Sequence, residues 1–158
     1  MKKTLAAALM ATIGLAGVSV AESHMSEDDL KKAVNARQAT MQLYAFNLGI
    51  LGNMAKGTTD YDADAASAAA GNLVKLSTQN QMAYWAPGTA EGQIEGSKAL
   101  PAIWEDMAGV GAAATAMTEA AMAMEAAAGT DLASLQGAMG ALGGACGGCH
   151  KSYRASSN

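Results

Sequence analysis

The chain has 158 residues, 14 acidic against 10 basic side chains, and a formal charge of −4. That balance is wrong for nucleic acid, whose binding rests on neutralising phosphates, and it suits a basic docking partner. Ala, Met, Leu and Gly dominate while Ile, Val and Phe are sparse, which favours helices over strands.

Met1-Lys2-Lys3 is a short basic start, Leu5 to Val18 is an apolar run, and Ser19-Val20-Ala21 places small residues where a signal peptidase cuts. Residues 1–21 are therefore expected to be a secretory signal, with residues 22–158 as one domain in the periplasm. An uncleaved N-terminal anchor is the alternative; no second apolar run follows, so no membrane insertion is expected after processing. Without Lys2 and Lys3 the formal charge falls to about −6.

Four helices are predicted. The first begins at Ser26, with Asp29 completing a capping box and Met25 and Leu30 at the positions of a hydrophobic staple. Its inward face is Leu30, Val34, Arg37, Met41, Tyr44, Leu48 and Leu51, and Gly57 ends it. The second starts within Asp60-Tyr61-Asp62, turns Ala69, Leu73, Leu76 and Ala83 inward, and ends before Pro87. A polar, Gly-rich connection from Ala86 to about Leu100 follows; a loop that long in a compact bundle is often functional.

Pro101 fits the first position of the third helix, which presents Ile103, Trp104, Met107, Val110, Ala114, Met117, Ala121 and Met124 and ends at Gly129. The fourth is capped by Thr130 or Asp131, with Leu132, Leu135, Met139, Leu142, Cys146, Cys149 and Tyr153 on its inner face. Two short links and one longer central link predict an all-α, antiparallel four-helix bundle. Gly140, Gly143, Gly144, Gly147 and Gly148 are unfavourable inside a helix, and their clustering around the cysteines is expected to reflect a bulky group against that backbone.

Both cysteines fall in Cys146-Gly147-Gly148-Cys149-His150. Cys-x-x-Cys-His is the attachment signature of haem c. Each thiol can add to one vinyl group, and on a helix Cys146 and Cys149 share a side while His150 stands about 100° further round, able to reach the iron. A redox Cys-x-x-Cys belongs near a βαβ pattern, a zinc site needs about four ligands, and a plain disulfide leaves His150 without a role. No Ser/His/Asp set or phosphate-binding loop is present, so no enzyme activity is expected.

The chain resembles the class II c-type cytochromes, the cytochrome c′ family, and within it the low-spin members with a Met/His pair. The resemblance is carried by Arg37-Gln38, Met54-Ala55-Lys56-Gly57, Trp85-Ala86-Pro87-Gly88-Thr89, Pro101-Ala102-Ile103-Trp104 and Cys146 to Arg154. It implies one haem c on the last helix, with His150 as axial ligand. It places Arg37 and Gln38 by the haem propionates, Arg154 near His150, and Ser97 and Lys98 in the loop approaching the propionates. Read from the residues alone, an Arg on an apolar face wants an anionic partner.

In the family the residue one turn after that Arg, here Met41, faces the iron opposite the His. Its sulfur as sixth ligand implies an electron carrier working with redox protein partners. Without that bond the iron is five-coordinate and high-spin, and NO or CO become ligands. Methionine at helical spacing is also ordinary core filling, as for Met54, Met107 and Met124. The resemblance further implies a homodimer through the first two helices. A helical binding module with a plain Cys146–Cys149 disulfide is the remaining alternative.

Overall fold

The computed structural model describes residues 25–156; the predicted signal, residues 1–21, lies outside the described residues. Helix α1 spans Glu27–Ala55, and Ser26 caps it, its Oγ accepting from the Asp29 N–H at 3.2 Å. Helix α2 spans Ala63–Thr78 behind Asp62, whose Oδ1 accepts from Ala65 N at 2.9 Å. Helix α3 is the single turn Ala102–Glu105, α4 is Met107–Ala128, and α5 is Leu132–Tyr153 behind Asp131. Among the described residues the only extended pairing is an isolated antiparallel bridge between Ala99 and Arg154.

Two boundaries differ from the sequence-based expectation. The second helix stops at Thr78 rather than beyond Ala83. Ser77 and Thr78 hydroxyls turn back onto the Val74 carbonyl, and Gln81 Nε2 donates to Leu76 O, so side chains take over the backbone groups that end the helix. The chain then makes one 3-10 turn, Met82–Tyr84. The expected third helix is broken at Asp106, whose backbone leaves the helical conformation and whose carboxylate caps α4 by accepting from Gly109 N at 2.9 Å.

Helices α1, α2, α4 and α5 form an antiparallel four-helix bundle in which α1 and α4 each pack on both α2 and α5. The core holds Leu51, Met54, Leu73, Met124, Leu135 and Leu142, interleaved with Ala66, Ala69, Ala70, Ala121 and Ala128. The alanines let the helices come close. At Gly71 of α2 a Cβ would stand 3.0 Å from the Glu125 carboxylate of α4. Gly140, Gly143, Gly144, Gly147 and Gly148 are different: they are exposed, and beyond the backbone of their own helix turns nothing lies within 4 Å of a Cβ placed there. Close helix packing is not what selects them. No described helix is long and apolar enough to cross a membrane.

Leu142 is fully buried where α5 faces the core. Leu142→Ala is expected to destabilise the protein by about 2–5 kcal/mol through lost burial and a residual cavity. Urea unfolding of the holoprotein checks this as a lower midpoint at unchanged slope.

Candidate cofactor site

Cys146, Cys149 and His150 lie on the last two turns of α5, all half-buried, and both thiols are free. Burial pushes both thiols above their ordinary range, so they stand protonated at neutral pH. That is the reverse of the activated thiolate that redox Cys-x-x-Cys pairs and metal sites use. Burial, and secondarily the Arg154 charge, holds His150 below its usual range, so its imidazole is neutral and has a lone pair to give. Among the described residues no three His, Cys, Asp or Glu side chains converge as the ligands of a bare ion would.

Facing α5 across the bundle is α1, and their register can be followed. Gln136 Nε2 donates to Ala55 O at 2.8 Å. A Cβ on Gly52 would touch the Met139 methyl at 3.8 Å. Tyr44 lies close enough to Cys146 for the two to couple electrostatically. Each step back along α1 is matched by a step forward along α5, as antiparallel helices require. Continued by one turn, that register sets Met41 level with Cys149 and His150. Met41 is 37% exposed and stands apart from the packed core around Leu51.

One turn earlier, Arg37 is 4% exposed. Its Nη1 donates to Thr89 Oγ1 at 2.7 Å and to Tyr84 O at 3.4 Å. Its Nη2 donates to Thr89 O at 2.6 Å and Ser97 Oγ at 2.7 Å. The guanidinium also lies 5.1 Å from the centre of the Trp85 ring. Every one of these partners is neutral. Burial lowers the affinity of Arg37 for its proton, and no nearby carboxylate opposes that among the described residues. A cation held this way is complementary to an anion brought by something else.

The other expected residues gather around the same loop. Gln38 Nε2 donates to Gly96 O at 2.9 Å. Lys98 points its ammonium outward, 3.9 Å from the Glu91 carboxylate, while its carbonyl accepts from Ala155 N. Arg154 is exposed, pairs with Ala99, and donates its N–H to His150 O at 3.1 Å. The loop and the end of α5 are thus one structure, closed by Leu100 N donating to Tyr153 O.

Residues 32–154 match the family Cytochrome C'. The chain belongs to the cytochrome c′ family. A cytochrome c-554 of Cereibacter sphaeroides is 47% identical over 79% of this chain and 82% of the relative. A cytochrome c′ of the same organism is 38% identical over 98% of both chains. The solved structure of cytochrome c′ from Rhodobacter Spheriodes superposes with a TM-score of 0.79 at 39% identity, over 81% of this chain and 98% of that one.

The cofactor of the family is covalently attached haem c, and the residues present fit it. Two protonated thiols share one side of a helix, a neutral imidazole follows, and a buried cation lacks an anion for which haem carboxylates are suited.

Several contacts around these residues were not assigned from sequence. Thr89 and the Tyr84 carbonyl hold Arg37, Trp85 lies under it, and Trp104 Nε1 donates to Trp85 O at 3.0 Å. Met117 places its sulfur 3.7 Å from Cys146 Sγ. Asp106 accepts from the Tyr153 hydroxyl at 2.6 Å, tying the end of α5 to the start of α4. Ser97 was expected in this loop, and Thr89 shares its sequence signal: each directly follows a glycine, Gly96 and Gly88.

The Tyr153 hydroxyl, and then the Gly109 N–H, hold the Asp106 carboxyl below its ordinary range. A carboxyl depressed in the folded state stabilises it above the unfolded value and loses that contribution as the pH falls through the folded one. Asp106→Asn is therefore expected to lower Tm at neutral pH, with the gap from the parent closing in acid. Thermal melts of both holoproteins across pH check it.

Proposed function

We propose that this protein is a periplasmic electron carrier whose single haem c is held by thioethers from Cys146 and Cys149, with His150 and Met41 as axial ligands. The observation that carries the sixth ligand is the α1–α5 register, which brings Met41 level with His150 on the facing helix. Its partial exposure and lack of a place in the packed core favour a ligand over core filling. The similarity to a protein named cytochrome c-554 supports the same reading.

Bound haem supplies a one-electron redox centre. The protein's share of the work is placement. Cys146 and Cys149 hold the ring edge, and α5 aims the neutral His150 imidazole. Met41 would supply a thioether sulfur, and as a ligand it would raise the reduction potential. Arg37, its Nη hydrogens already engaged by Tyr84, Thr89 and Ser97, would set its charge beside the propionates with Gln38 next to it, while Lys98 and Arg154 would bring positive charge to the rim. No bond-making step belongs to this chain, so we read it as a carrier rather than an enzyme, exchanging electrons with redox protein partners.

The test is an absorption spectrum of the holoprotein and of Met41→Ala. The parent is expected to be low-spin, with a far-red sulfur-to-iron band, and unreactive to CO when reduced. Met41→Ala loses the band and gains CO binding, while pigment stays on the chain under denaturing conditions. A high-spin parent that takes up CO removes the Met41 ligand and leaves the five-coordinate, gas-binding reading, which the similarity to a protein named cytochrome c′ favours.

For assembly we propose a homodimer through α1 and α2. Phe46 is 67% exposed, and Leu43, one turn away on α1, is 51% exposed. Phe46→Glu is expected to halve the sedimenting mass without altering the absorption spectrum. A parent that sediments as a monomer excludes this assembly.

A further inference from the structure

We propose that Thr89 and Ser97 are positioning residues that lock Arg37 in place as a cation without a counter-charge in the protein, and that through Arg37 they raise the reduction potential of the haem. This rests on the reading that Arg37 stands beside the haem propionates.

The hydroxyl protons decide the argument. A hydroxyl has one proton to donate and lone pairs to accept with. Thr89 Oγ1 spends its proton on Ala86 O at 2.7 Å. Ser97 Oγ spends its own on Thr89 O, also at 2.7 Å. Both oxygens can then turn only lone pairs toward Arg37, and both do, at 2.7 Å. Thr89 O accepts from Ser97 and from Arg37 Nη2 together. Thr89 is fully buried and Ser97 is 5% exposed, so water is poorly placed to replace either contact.

The backbone is shaped for this cage. Gly88 and Gly96 adopt φ of +84° and +78°, a region that side-chain-bearing residues avoid. Each left-handed turn delivers the next residue, Thr89 or Ser97, to the guanidinium. Gly92 between them is left-handed too, at φ +79°, but the turns at Gly88 and Gly96 are the ones followed by a residue that contacts the cation.

Charge explains the consequence. Arginine does not give up its proton, so the cage holds a full positive charge, which the protein itself meets only with neutral dipoles. Reduction adds an electron, and a fixed cation nearby in a low-dielectric setting favours the reduced state. Letting Arg37 swing into water removes that bias, because water screens it.

The experiment is a double-mutant cycle read as midpoint potential by spectroelectrochemical titration of the holoproteins. Arg37→Gln lowers the midpoint. Thr89→Val, which keeps the shape and deletes the acceptor, lowers it in the same direction. The double variant is no lower than Arg37→Gln alone, and Thr89→Ser restores the parent value. If Thr89→Val fails to retain haem, Ser97→Ala enters the same cycle. Nitrogen NMR of the guanidinium adds a second readout, with proton exchange faster in Thr89→Val. Additive effects, or a parent midpoint in both Thr89→Val and Ser97→Ala, overturn the lock while leaving Arg37 beside the haem. A parent midpoint in Arg37→Gln removes Arg37 from the haem edge, and the proposal with it.

Discussion

A buried guanidinium surrounded by neutral oxygens is the constraint on which the site half of this protein depends. Removing a charge from water is costly, and each unmet N–H adds to the penalty. Arg37 therefore cannot occupy its place on α1 unless Tyr84, Thr89 and Ser97 arrive to receive it. The segment between α2 and α3 has little regular structure of its own to fix its path. Arg37 and the loop order one another, and the loop in turn carries Lys98 to Leu100 against the end of α5.

That coupling divides the bundle into two parts with different means of cohesion. Around Leu51, Met54, Leu135 and Leu142 the helices hold together by apolar packing, with alanines bringing the backbones close. Toward Cys146, Cys149 and His150 the protein contacts are increasingly polar: the Arg37 cage, the Gln38–Gly96 bond and the Tyr153–Asp106 bond. Helix α5 runs through both parts. Its packed half anchors it, and its other half presents two thiols and an imidazole in fixed register with α1. A rigid helix aimed by a distant core is what keeps a covalently attached group in one orientation.

Much of this was legible in the residues. Ser26, Asp62 and Asp131 each cap a helix because a short oxygen-bearing side chain just before an apolar, periodic run satisfies a free backbone N–H. Two short links and one longer one predicted the bundle, and the inward helix faces placed Leu51, Leu73, Met124 and Leu142 in its core. Less legible were the early stop of α2 and the break at Asp106. Both arise where polar side chains compete with helical hydrogen bonding, and sequence spacing alone does not say which will win. The glycines around the cysteines show the same limit, since their cost in a helix was evident but their exposed setting was not.

By itself the sequence determined the local chemistry: helices from periodicity and caps, and the Cys146, Cys149 and His150 set from spacing within one turn of helix. Only tertiary structure decided what surrounds that set. Thr89 and Ser97 lie 52 and 60 residues from the arginine they hold, and Met41 meets the level of His150 only through the antiparallel register of α1 and α5. Contacts along a helix follow from its geometry, which spacing encodes. Contacts between distant segments depend on how whole elements pack, and nothing in the local order of residues measures that.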